Sequence, residues 1–283
     1  MSELRNAMND QMLLKGFSER TQKSYLDAVS LLARYYQRPP DKLSPSDIQN
    51  WLLYLVKERG LSPATCRLYL NAVRFFYLQV LHWPACQVEL VTPKRPQRIP
   101  DLLSPSEVHR IIEAASNGRY RTLFTLCYAC GLRVSELINL KVQHIHGEQH
   151  YLQVVQGKGR KDRNIPLSDA LLHILRDYWR QYRPEGYLFP GRRAGHTISI
   201  TSVQKSFSKA KKQAGIQKVG GIHSLRHAFA SHQLAAGMPL HQLKTLLGHR
   251  DLKSTERYLH WCASLRGVHI DLVSRLPEGH RHD

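Results

Sequence analysis

No apolar run in this sequence approaches the ~20 residues needed to cross a bilayer, and the polar start Met1-Ser2-Glu3-Leu4-Arg5 lacks the hydrophobic stretch of a secretory leader. A membrane span and export are therefore not expected, and the reading is a cytoplasmic protein. The five cysteines, Cys66, Cys86, Cys127, Cys130 and Cys262, form an odd, scattered set, which argues against a disulfide scaffold and for reduced thiols. Cys127-x-x-Cys130 is half of a zinc or redox motif. It lies in the apolar run 123–130 with no second CxxC, so two small core residues are expected there. Acidic residues are also scarce, 22 Asp and Glu against 41 Lys and Arg.

That imbalance gives a formal net charge of +19, which points to a polyanionic partner. The excess is not a tail: residues 1–98 hold 14 basic and 8 acidic side chains, and the remainder is more basic still. A composition of 42% hydrophobic and 22% charged residues is that of a globular chain, neither disordered nor fibrous. Its 283 residues suggest two domains, each with its own core.

The first domain, 1–91, reads as all-α. Tyr25, Ala28, Val29, Leu32 and Tyr36 recur at helical spacing, as do Leu68, Leu70, Val73, Phe76, Tyr77 and Val80. Three helix starts carry the same signal, Leu43-Ser44-Pro45, Leu61-Ser62-Pro63 and Leu103-Ser104-Pro105, in which Ser caps exposed N–H groups and Pro presets φ. Asp47 and Glu107, three residues after Ser44 and Ser104, are placed for capping boxes. Residues 92–101, with Pro93, Pro96 and Pro100 among Lys94, Arg95 and Arg98, read as a stiff basic linker.

The second domain, 102–283, reads as mixed α+β, mainly helical, with a small β-hairpin. Helical patterns at 104–116 and 120–140 precede strand-like Tyr151 to Val155. A glycine-bearing turn around Lys158 and a second short strand, Asn164 to Leu167, follow. Beyond residue 168 the pattern is helical again. Past residue 260, Leu265, Val268, Leu272 and Leu276 mark one more short apolar stripe.

Four segments of this domain hold charged or nucleophilic groups that a core does not require: Gly131-Leu132-Arg133-Val134-Ser135-Glu136-Leu137, the Lys158 turn, His223-Ser224-Leu225-Arg226-His227, and Leu247-Gly248-His249 with Tyr258 nine residues on. Together they suit phosphoryl transfer without a metal. Forked guanidiniums at Arg133 and Arg226 stabilise charge on non-bridging phosphate oxygens, and Lys158 on a glycine-flanked turn donates a proton to the leaving oxygen. His223, one helical turn before Arg226, is placed to bond the phosphate or take the nucleophile's proton. Tyr258 is the attacking group, activated by the surrounding cations. Singly each residue has a plainer explanation, Arg133 as an ion pair with Glu136 at i+3, for example.

In this order and spacing the segments resemble the tyrosine recombinase (phage integrase) family, in its short Xer-like and integron-integrase-like branch. The resemblance implies a helical core-binding domain opposite a catalytic domain in a C-shaped DNA clamp. It places catalytic roles on Arg133, Lys158, His223, Arg226, His249 and Tyr258, with Glu136 in support. It implies a site-specific recombinase that forms a 3′-phosphotyrosyl intermediate and needs no cofactor, neither ATP nor a metal. Its partners would be double-stranded DNA with inverted-repeat-like core sites, in a tetrameric synapse with exchange of C-terminal tails. The interval between Phe189 and His223 lacks room for the helical insertion of integron integrases. A non-catalytic clamp-like DNA-binding protein and a DNA-relaxing enzyme of the topoisomerase kind remain as alternatives.

Overall fold

The computed structural model describes residues 3–84, 101–155, 162–193, 195–249, 251–252, 254–256 and 258–259. The expected linker prolines, Lys158 and the apolar stripe from Leu265 lie outside the described residues. The chain divides into two compact units, Met1–Arg98 and Ile99–Asp283.

The first unit is helical throughout its described part: α1 (Glu3–Leu14), α2 (Glu19–Tyr36), α3 (Pro45–Lys57) and α4 (Pro63–Phe75), the last running into a π turn over Phe76–Val80. Ser18, Ser44 and Ser62 each accept a backbone N–H three residues on, and Asp47 returns a carboxylate to Ser44 N at 2.9 Å, closing the expected capping box. The core gathers Met8, Met12, Leu32, Ile48, Trp51, Leu70, Val73 and Tyr77. Leu68 departs from the expected stripe and is 37% exposed. It sits two residues from Leu70, about 200° round the helix, so the buried face runs through Cys66, Leu70 and Val73 instead.

The second unit opens with α5 (Pro105–Glu113), α6 (Gly118–Ala129) and α7 (Val134–Ile138). The continuous helix expected over 120–140 is broken at Gly131. This residue adopts φ +57, and the two N–H groups that follow the helix return to it: Gly131 N to Tyr128 O at 3.4 Å and Leu132 N to Cys127 O at 3.2 Å. That is the left-handed termination for which glycine is suited. The Phe229 ring fills the space a Cβ at 131 would need.

Three antiparallel strands follow in the order β1 (Ile145–His146), β2 (Tyr151–Val154) and β3 (Arg163–Pro166). The β2–β3 hairpin expected from the sequence pairs Tyr151 with Pro166 and Val154 with Arg163. The two-residue strand β1 is too short to show an alternation. Helices α8 (Asp169–Tyr182), α9 (Ile200–Gln213), α10 (His223–Ala235) and α11 (Leu240–Leu247) complete the named elements, and residues 254–256 and 258–259 are helical. Cys127 and Cys130 pack in the core beside Leu123, Phe124 and Leu126. No helix among the described residues is long and apolar enough to cross a membrane.

Candidate active site

The break at Gly131 sets the first side chain. Because the chain turns there, Arg133 is not inside a helix, as the sequence pattern suggested, but at the extended position just ahead of α7. Its backbone N–H donates to Glu136 Oε2 at 2.9 Å, and its Nη1 to Glu136 Oε1 at 2.6 Å. The plain i+3 ion pair therefore exists, and it occupies the middle of a larger cluster.

Glu136 is the anion of that cluster. Arg163, the first residue of β3, donates from Nη2 and Nη1 to its two carboxylate oxygens at 2.8 and 3.1 Å, and Arg226 Nη1 stands 3.9 Å away. Burial alone would raise the Glu136 pKa, but the bonds and charges of Arg163 and Arg133 outweigh it and hold the carboxyl at about 2.

Three arginines also end on one stretch of backbone. Arg163 Nε donates to Leu246 O at 2.7 Å, Arg226 Nη2 to Leu247 O at 2.7 Å, and Arg133 Nη2 to Gly248 O at 3.2 Å. These carbonyls close the C-terminus of α11, where the helix leaves acceptors unsatisfied and the dipole is negative. Gly248 turns the chain at φ +61, and a Cβ there would come within 3.0 Å of Arg163 Nη1. Arg226, 1% exposed, also donates to Gly131 O at 2.6 Å. Burial first, then the neighbouring Arg133, pull its pKa down to about 10 despite the nearby Glu136. Three guanidiniums share one carboxylate, so the cluster carries an excess of positive charge suited to an anion.

His249 follows Gly248 directly. Its Nε2 lies 3.1 Å from Arg226 Nη2 and its Nδ1 2.7 Å from Thr255 Oγ1. A guanidinium only donates, so Nε2 accepts and the ring proton sits on Nδ1, toward Thr255. Tyr258 lies parallel to the His249 ring, 6.5 Å between centroids, and is 2% exposed among Phe229, Leu234, Leu243 and Leu247. Its hydroxyl is 2.9 Å from His227 Nδ1. His223 begins α10 at the surface, its ring edge-on to His227 at 4.7 Å.

The structure thus brings Arg133, Arg226, His249 and Tyr258 into one cluster and reaches His223 through His227. Lys158 belongs to the connection between Val154 and Arg163, outside the described residues. Sequence reasoning assigned nothing to Arg163, His227 or Thr255. His227 had a signal, four residues after His223 and next to Arg226, and Arg163 had one as the last basic residue of the Lys158 turn. Thr255 had none.

Residues 101–264 match the phage integrase family, and residues 4–85 match the phage integrase N-terminal SAM-like domain. The integrase/recombinase y4qK of Sinorhizobium fredii is 43% identical over 92% of this chain and 84% of its own length. The tyrosine recombinase XerD of Oceanobacillus iheyensis is 33% identical over 87% of this chain and 89% of its own. Among solved structures, the XerA recombinase is 28% identical with a TM-score of 0.53, over 94% of this chain and 99% of that one. A lambda integrase dimer bound to a core site shares the fold at a TM-score of 0.77 and 20% identity, over 91% and 94% of the two chains.

Proposed function

This chain belongs to the phage integrase family of tyrosine recombinases, DNA strand-transferring enzymes, and from that premise we propose that Tyr258 is its nucleophile and that the arginine cluster holds the scissile phosphate. The observation that carries the reading is the convergence of Arg133, Arg226 and His249 beside a buried Tyr258. Its substrate is double-stranded DNA with inverted-repeat-like core sites, and the family's assembly is a tetrameric synapse.

The guanidiniums of Arg133 and Arg226 neutralise the charge that builds on the non-bridging oxygens as the Tyr258 oxygen approaches phosphorus. The new bond joins the Tyr258 oxygen to the 3′-phosphate, and the bond from phosphorus to the 5′ oxygen breaks. Lys158 gives that oxygen its proton. The freed 5′-hydroxyl of a second duplex then attacks the phosphotyrosine, so one phosphodiester replaces another and neither ATP nor a metal is called for. His223 supplies a further hydrogen bond to the phosphate, and His249, accepting from Arg226, holds that guanidinium in place. Residues 1–91 serve as the core-binding domain, 92–101 as a basic linker along the DNA backbone and 102–283 as the catalytic domain. The stripe of Leu265, Val268, Leu272 and Leu276 serves as the tail exchanged between subunits. Such an enzyme works in the cytoplasm, where chromosomal and mobile DNA are found.

The test is Tyr258→Phe. The variant binds DNA as the wild type does but forms no detergent-stable protein–DNA adduct, and the wild type forms its adduct in EDTA. An adduct that persists in Tyr258→Phe moves the nucleophile elsewhere. Relaxation of supercoils without strand exchange by the wild type assigns the chain to the DNA-relaxing class.

A further inference from the structure

The hydroxyl of Tyr258 meets His227, not His223, and the two histidines differ in what they face. His227 lies one turn into α10 on the side turned to Tyr258, with its Nδ1 2.9 Å from the hydroxyl and the two ring centroids 5.7 Å apart. His223, at the exposed first position of α10, meets the edge of His227. We propose that His227 is a further catalytic residue, the general base that takes the proton of Tyr258 as the nucleophile attacks. This deepens the proposed function and rests on Tyr258 being the nucleophile.

Three features support it. Tyr258 is 2% exposed, so bulk water is a poor acceptor for its proton in this arrangement, and a phenol with an ordinary pKa near 10 needs one at neutral pH. An imidazole with an ordinary pKa near 6.5 suits that task, and the distance is that of a working base. The other histidine beside Tyr258 is already engaged. His249 accepts from Arg226 at Nε2 and faces Thr255 through Nδ1, and its ring lies parallel to that of the tyrosine.

The step balances without an added reactant. The O–H bond of Tyr258 breaks as its oxygen bonds to phosphorus, and the proton passes to Nδ1 of a neutral His227 that carries its own hydrogen on Nε2. The P–O5′ bond breaks, and Lys158 protonates the leaving oxygen. In the return step the 5′-hydroxyl gives its proton back to the neutral Lys158 amine as its oxygen bonds to phosphorus, and the departing Tyr258 oxygen recovers its proton from His227. The titratable groups that face His227 include Tyr258 and His223, with His249 and Arg226 beside the tyrosine.

The inference is tested on a nicked duplex recovered from a randomised DNA pool as a detergent-stable adduct of the wild-type protein. His227→Asn, which keeps a hydrogen-bonding atom near Nδ1 but cannot act as a base near neutral pH, lowers single-turnover cleavage by on the order of 10²–10⁴-fold. It also flattens the rise in rate that the wild type shows as pH climbs through the imidazole range. A wild-type rate, or the same rise with pH, in His227→Asn overturns the proposal. A 5′-bridging phosphorothiolate, whose thiolate leaves without a proton, restores a Lys158→Ala variant but not His227→Asn. Its restoring His227→Asn makes His227 the leaving group's acid and also overturns it.

A DNA-free measurement guards against a folding defect in the variant. In the intact ¹⁵N-histidine protein, His227 shows the Nε2–H tautomer with Nδ1 as acceptor, and Tyr258→Phe perturbs that signal. An Nδ1–H tautomer in the wild type overturns the proposal. An adduct surviving in Tyr258→Phe defeats the nucleophile assignment itself. An adduct lost in that variant while His227→Asn cleaves normally defeats this inference alone.

Discussion

Arg163 and Glu136, 27 residues apart, meet face to face, with both carboxylate oxygens taken by one guanidinium at 2.8 and 3.1 Å. The pair ties the hairpin strand β3 to helix α7, and through the Arg163 Nε bond to Leu246 O it ties both to the end of α11.

Glu136 should therefore govern the acid stability of the second unit. Its carboxyl sits at about 2, below its ordinary 4.5, so the stability it contributes is complete above the ordinary value and drains away as pH falls from there toward 2. Glu136→Gln leaves three guanidiniums without their shared anion and costs about 3–5 kcal/mol at neutral pH. Urea unfolding at a series of pH values checks both statements. A Glu136→Gln protein with the wild-type loss on acidification would show that other carboxylates carry it.

Arg163→Lys keeps the charge and loses the fork, because an ammonium cannot meet two oxygens and Leu246 O in one plane. Covalent adduct formation should fall more than DNA affinity does, since the group orients Arg133 and the α11 terminus rather than supplying net charge. Filter binding and single-turnover cleavage on the same duplex separate the two quantities. Equal losses in both would mark Arg163 as a plain DNA contact.

Gly131→Ala places a side chain at positive φ and drives it into the Phe229 ring. Backbone strain and overpacking together cost about 2 kcal/mol or more. The carbonyl of the same residue accepts from Arg226, so activity should fall with stability. A thermal midpoint unchanged from wild type would show that the Phe229 ring moves aside freely.

Burial pushes the thiols of Cys127 and Cys130 up to about 12. At pH 8 neither should react with a thiol reagent in the folded protein, and both should react in urea. Peptide mapping after iodoacetamide treatment reads the result, and labelling of either one in the native state would contradict their place in the core.

Association with duplex DNA should weaken steeply with salt, by about 0.9 in log K per unit of log salt for each phosphate neutralised. A charge of +19 spread over both units leads to a slope steeper than about −3. A shallower slope would confine the DNA contact to one unit.

Local chemistry was the most legible part of this chain. Ser44 and Ser104 announced helix starts because their caps act within three residues, and the β2–β3 hairpin showed in strand-like composition and a glycine-bearing turn. The break at Gly131 was hidden because apolar residues stand on both sides of it and periodicity does not record a change of direction. In the candidate site, Arg133, Arg226, His249 and Tyr258 were singled out by residue type and by the family resemblance that their order and spacing carry. The contact of His227 with Tyr258 spans 31 residues, and that of Arg163 with Leu246 spans 83. Such pairings depend on how elements pack, and no local pattern encodes them.

The carbonyls of Leu246, Leu247 and Gly248 carry a consequence in time as well as in space. During synthesis Arg133, Arg163 and Arg226 all leave the ribosome before the backbone that receives them. Until residues 246–249 emerge, three like charges have one carboxylate between them and lack these backbone acceptors. The same short stretch that orders them leads, nine residues after His249, to Tyr258. The acceptors that order the arginine cluster and the proposed nucleophile are delivered together, by one late piece of chain.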